Sequence, residues 1–217
     1  MPKGGVFADQ WRAYPLRARR PLPPLVAKTM DLFHTFGMPG RWYSQLFEIA
    51  ADQYGFVTTG DVEHLGGDAQ VLVDMRRHGH LDRVAHGVYR FRSLPPGPLD
   101  EFMQATLWPR RLGVISHDSA LDLWDLCDVN PAKIHVTVPK AARLRRVTPP
   151  EYVVHTRDLE PIDVTRFEGI PVATALRAIL DGTERHLDRR LIDQAVDSAR
   201  RRGLITREEL AMVEAVG

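Results

Sequence analysis

YGFVTTGDVEHLGGDAQVLVDMRRHGHLDRVAHGVYRFR, from Tyr54 to Arg92, carries the local signals from which the fold can be read. Thr58 followed by Asp61 has the spacing of a capping box, and Val57 and Val62 stand where a hydrophobic staple closes the same helix start, so a helix is expected from Thr59. Leu65 precedes Gly66-Gly67, which tolerate the positive φ of a sharp turn, and Asp68 then offers a side-chain oxygen to a second helix start. In that second helix Val71, Leu72 and Met75 form one apolar stripe. The opposite face carries Gln70, Val73 and Arg77, with Ala69 and Arg76 at its border. Leu81 to Val84 and Val88 to Arg92 read as short strands joined at Ala85-His86-Gly87.

Two short helices meeting across a glycine turn, followed by a hairpin, predict a winged helix-turn-helix. Its second helix would face DNA, with Gln70 and Arg77 on base edges, while Arg83 and Arg90, flanking His86 at the wing tip, would lie on phosphates. Winged helices also dock proteins, so a module that neutralises a partner without sequence-specific DNA binding remains an alternative.

Charge narrows the DNA reading. The whole chain of 217 residues has a formal charge of +1, so any nucleic-acid surface must be a patch. Between Arg41 and Arg92 six arginines face seven acids, but five of those arginines (Arg76, Arg77, Arg83, Arg90, Arg92) follow most of the acids, at the end of the second helix and in the wing. Residues 1–40 hold six basic against two acidic side chains and several prolines, the composition of a basic extension. The single cysteine, Cys127, excludes an intramolecular disulfide and favours a reduced, cytoplasmic setting. No apolar run approaches the roughly 20 residues of a membrane span, and Arg17, Arg19 and Arg20 interrupt any signal-peptide core.

Arg41 to Gln53, with Trp42, Leu46, Ile49 and Ala50 on one face, supplies a first helix for the module at 41–92. Ser93-Leu94-Pro95-Pro96-Gly97-Pro98 cannot continue a helix or a central strand, and predicts a linker at 93–98 before a second domain at 99–217. There, helices are expected at Leu99 to Leu107, from a capping Ser116, at Thr174 to Leu180, at Leu187 to Arg202, and after a second capping box at Thr206 and Glu209. Strands are expected at Gly113 to Ile115, Ile134 to Val138 with one face buried, Tyr152 to His155, and Ile162 to Phe167 before a turn at Glu168-Gly169. The fold class is therefore α+β: a winged helix-turn-helix, then a mixed α/β domain.

Catalytic and cofactor signals are weak. His117, Asp118 and Ser119 are the residue types of a hydrolase triad, but helix neighbours diverge by about 100° and cannot converge on one atom. His78 and His80 lack the further ligands of a metal site. No glycine-rich phosphate loop or dinucleotide fingerprint is present, so no enzyme, metal or cofactor is expected. The loop after the 134–138 strand carries Lys140, Arg143, Arg145 and Arg146, a candidate contact for an acidic partner.

VTTGDVEHLG, MRRHGHLDRV and GVYRF in the first part, then VISHDSALDLWDL, IHVTVPK and FEGIPVATALRAILD, resemble in order and spacing the AbiEi antitoxins of type IV toxin-antitoxin systems. The resemblance runs from about Trp42 to the C-terminus. It implies a winged helix that binds operator repeats and represses its own operon, and a C-terminal domain that neutralises an AbiEii-like nucleotidyltransferase toxin. Two departures stand out: Val73 and Asp74 occupy a helix that is usually more basic, and the chain ends at Gly217 where some similar chains continue into an endonuclease-like domain, so no nuclease activity is expected.

Overall fold

The computed structural model describes residues 41–142, 144 and 147–216, which form two compact units divided between Arg110 and Arg111. The basic extension at 1–40 lies outside the described residues.

In the first unit, α1 (Arg41–Asp52) buries Tyr43, Leu46, Phe47 and Ala50 at the helical spacing of three and four. Tyr54 and Gly55, both at positive φ, turn the chain, and the Gly55 amide closes the helix by donating to the Ala50 carbonyl at 2.7 Å. There follows β1 (Phe56–Thr58), a strand without a counterpart among the expected elements because its last residue is also the cap of α2 (Thr59–His64). The capping box forms as expected: Thr58 Oγ1 accepts from the Asp61 amide at 3.2 Å and Asp61 Oδ2 accepts from the Thr58 amide at 2.8 Å. At Gly67 a Cβ would stand 2.3 Å from the Trp42 ring, so only glycine lets α1 approach this turn. Next come α3 (Gln70–Arg77), β2 (Leu81–Ala85) and β3 (Val88–Phe91). The sheet order is β1-β3-β2, antiparallel throughout, with a register shift between Arg83 and Ala85 beside the His86-Gly87 turn. Edge contacts of Phe91 with Tyr43 and Phe47, each at 5.4 Å between ring centres, tie α1 to the sheet.

The stretch expected as a linker, 93–98, and α4 (Asp100–Leu107) both lie within the first unit. The cause is Arg90, whose guanidinium donates to the Leu94 carbonyl at 2.9 Å and pairs with Asp100 at 3.0 Å while lying over the Phe56 ring. Proline content marks a break in regular structure, not in packing.

The second unit contains β4 (Val114–Ile115), α5 (His117–Leu123), β5 (Ile134–Val138), β6 (Tyr152–Thr156), β7 (Val164–Phe167), β8 (Ile170–Ala173), α6 (Ala175–Glu184), α7 (Arg189–Arg201) and α8 (Arg207–Val216). Its five-stranded sheet has the order β6-β5-β4-β8-β7 and is mixed: β5 with β6 and β4 with β8 are parallel, β4 with β5 and β7 with β8 antiparallel. The strands differ from expectation at β8 and β5. The strand β8 contains Pro171 and is not among the expected strands; β5 is buried from His135 to Val138 on both faces, because it lies between β4 and β6 with α5 packed on it. The second capping box, Thr206 with Glu209, forms as expected.

Candidate nucleic-acid interface

On α3 the residues divide by face. Leu72 and Met75 are buried and Val71 packs against the same core, which turns Gln70, Arg76 and Arg77 out to solvent, with Ala69 and Val73 half-buried at the margins. Asp68 contributes as expected, its Oδ1 accepting from the Gln70 amide at 2.7 Å. A feature without a counterpart in the sequence reading lies on the outer face: Asp74 Oδ1 accepts from Gln70 Nε2 at 2.9 Å and from Arg77 Nη1 at 3.4 Å. One carboxylate thus holds both side chains expected on base edges. The pair Arg77–Asp74 is exposed (68% and 49%), so it is weak and exchangeable.

On the hairpin, Arg83 and His86 are exposed and touch each other, Nη2 to Nδ1 at 3.2 Å, at the tip where a phosphate could be met. Arg90 is differently placed. Its side chain is 17% exposed and committed to Leu94 and Asp100, so the fold uses it as a structural tie and does not present it beside Arg83. Arg92 is likewise engaged, by Asp82 at 3.0 and 2.6 Å, and this contact holds the Asp82 carboxyl below its ordinary value.

Two helices across a glycine turn, an exposed polar face on the second, and a basic hairpin tip now stand together. Residues 44–92 match the family described as "Transcriptional regulator, AbiEi antitoxin". The match runs from within α1 through β3 and includes every residue of the candidate interface. No curated protein matches the chain. Among solved structures, the RV2827C protein from Mycobacterium tuberculosis is similar over 91% of this chain and 73% of its own, at 15% identity and a TM-score of 0.48.

The AbiEi match ends at Arg92, and the second unit has a polar centre of its own. Lys140 is exposed in a short 3-10 turn, with its amide held by Asp158 at 3.0 Å, while Arg143, Arg145 and Arg146 lie outside the described residues. The unexpected centre is a group of imidazoles inside the unit. His117 at the start of α5 stacks on His155 of β6, with 3.6 Å between ring centres and 13° between planes, and His135 of β5 lies 5.2 Å from His155 and 6.0 Å from His117.

Around the imidazoles, Asp181 of α6 is 1% exposed, and its Oδ1 accepts from Arg157 at 2.7 Å and from Arg177 at 2.8 and 2.9 Å. Glu184 pairs with the same two arginines. The hydroxyl of Ser116, expected to cap α5, serves this centre instead, contacting His117 Nδ1 at 2.9 Å and Thr137 at 2.7 Å. His117 Nδ1 also faces Asp181 Oδ2 at 3.6 Å. A serine and an aspartate on the same ring nitrogen cannot form a proton relay, which needs them on opposite nitrogens. Among the described residues no group of His, Cys, Asp or Glu is arranged to hold a metal ion.

Proposed function

We propose that the chain is a DNA-binding antitoxin and autorepressor whose residues 41–92 act as a winged helix on operator DNA. The observation that carries this reading is the division of α3 into a buried stripe, Leu72 and Met75, and an outward face holding Gln70, Arg76 and Arg77 within the AbiEi-matched segment. In this reading α3 enters the major groove, where Arg77 donates its fork to guanine O6 and N7, and Gln70 pairs with adenine N6 and N7. Arg76 and Arg83, with His86, hold the phosphate backbone and set the register. Glycine at 66 and 67 allows the tight turn that brings α2 over α3, and the first residues of α3 then lie closest to the bases.

The implied toxin is an AbiEii-like nucleotidyltransferase, met by the second unit, with the loop from Lys140 to Arg146 as the contact on an acidic patch or a phosphate-binding cleft. No catalytic role is assigned to the chain, and no cofactor. No helix among the described residues is long and apolar enough to cross a membrane, and the cytoplasm, where operator and toxin are both reached, is the proposed location.

One observation favours a second reading, a protein-docking winged helix. Asp74 places a negative charge between the two base-reading side chains, where it opposes a phosphate backbone and suits a basic protein partner. A gel shift on the chain's own upstream region at two salt concentrations separates the two. Operator binding that weakens as salt rises supports the repressor, since phosphate contacts release counterions; no shift at low salt with folded protein leaves the docking reading.

A further inference from the structure

We propose that the stacked imidazoles of the second unit form an acid-sensitive latch that holds edge strand β6 and the start of α5 onto the sheet, and that it opens when the imidazoles are protonated. Arg185 Nη1 lies 2.8 Å from His135 Nδ1, and a guanidinium has only donors, so His135 must accept there and carry its single proton on Nε2. A second proton on His135 expels Arg185. His155 Nε2 is buried with no hydrogen-bond partner, so an imidazolium at that position would bury an N–H without an acceptor. Its ring is also pressed face to face on His117, so charging both rings would set two cations against each other with 3.6 Å between ring centres.

Groups on every surrounding element bear on the balance. On α5, Asp118 favours a proton on His135; on α6, Asp181 faces His117 with its Oδ2, which is buried without a hydrogen-bond partner, while its Oδ1 is answered by Arg157 and Arg177, and Glu184 is paired with the same two arginines. Burial opposes protonation most, and the neighbouring imidazoles, Arg185 and Arg157 oppose it further. Together they hold His155 down to about 4 and His117 to about 2, and lower His135 as well.

The direction in pH follows. An imidazole that resists its proton in the folded state, against an ordinary value of 6.5, favours the fold above pH 6.5, and that contribution is lost as pH falls from 6.5 toward about 4. The first part to loosen is β6, which is bonded on one side only, to β5. The device lies in the second unit and is independent of whether the first unit binds DNA.

Two measurements on the full chain test it. In an NMR titration the C2 protons of His117, His135 and His155 should stay at neutral-ring shifts down to about pH 5 and then change together with loss of amide protection in residues 152–156, while β1, β2 and β3 keep theirs. Reversible titration of all three rings near pH 6.5 with β6 still protected would overturn the proposal. His155→Gln, checked for folding at pH 7.5 by circular dichroism, should move the acid midpoint of β6 opening down by about one pH unit, because one proton uptake is removed. An unmoved midpoint assigns the acid transition to Asp181 and Glu184 and also ends the proposal. If His155→Gln does not fold, His135→Gln is read by the same criterion.

Discussion

Two arginine–aspartate groupings in this protein use the same chemistry to opposite ends. On α3, Arg77 and Asp74 meet at 3.4 Å in solvent; in the second unit, Arg157 and Arg177 converge on Asp181, which is 1% exposed, at 2.7 to 2.9 Å. Water makes the first pair nearly neutral in energy, so its members can exchange partners. Burial makes the second a commitment, because removing one member leaves charge without solvent. Position in the fold, more than residue type, separates side chains available for recognition from those that hold the structure.

The largest effect is expected where this contrast is sharpest. Asp181→Ala should destabilise the second unit by about 3 kcal/mol, the low end for a broken buried pair because Arg157 keeps contact with solvent and Glu184 still answers both arginines. Urea unfolding followed by hydrogen exchange would locate the loss in 111–217. If stability changes by less than about 1 kcal/mol, the network is no tighter than the pair on α3.

Arg90 tests the contrast inside the first unit, since the sequence groups it with Arg83 and the structure groups it with Asp100. Arg90→Ala should cost about 1.5 to 3 kcal/mol of stability through the lost bonds to Leu94 and Asp100, while the affinity of the remaining folded protein for operator stays within about twofold. Loss of binding with unchanged stability would return Arg90 to the phosphates. Arg77→Ala is the converse: operator affinity should fall by about 1 to 3 kcal/mol and preference at one base should relax, with the melting temperature unchanged. The check is competition binding against singly substituted operators, and a uniform loss over all sequences would make Arg77 a phosphate contact.

Most of the first unit is legible in the sequence because its signals are local. Thr58 with Asp61 declares a helix start within four residues, as Thr206 with Glu209 does in the second unit, and Gly66-Gly67 declares the turn. What the sequence hides depends on distant partners. The three residues of β1 pair with β3 some thirty positions later, and their last member doubles as a cap. The tie of Arg90 to Asp100 crosses a proline-rich stretch that reads as a boundary. His117, His135 and His155 come from a helix and two strands, so no motif window contains two of them. A signal is nonetheless present: in Ile134 to Val138, His135 and Thr137 share one strand face, and a polar face on a strand bordered by apolar segments calls for polar partners.

Asp74 gives the smallest expected effect and the finest test, because it asks whether an exposed carboxylate can tune a surface that it does not stabilise. Its oxygen accepts from both Gln70 and Arg77, so in the operator reading each must leave Asp74 or share it on approach to DNA, and the carboxylate would oppose the phosphates. Asp74→Asn removes the charge while keeping the shape. Affinity for operator and for random DNA should both rise, by about 0.5 to 1 kcal/mol, with stability unchanged because exposed pairs contribute little. The introduced amide still accepts from Gln70 through its oxygen, so base preference should persist at the position read by Gln70, whereas Asp74→Ala frees that side chain and should broaden it. Parallel selection of binding sites with the two variants distinguishes charge from orientation. If both variants bind as the parent does, the outer face of α3 is not in contact with DNA, and the docking reading of the winged helix gains the argument that the gel shift alone cannot supply.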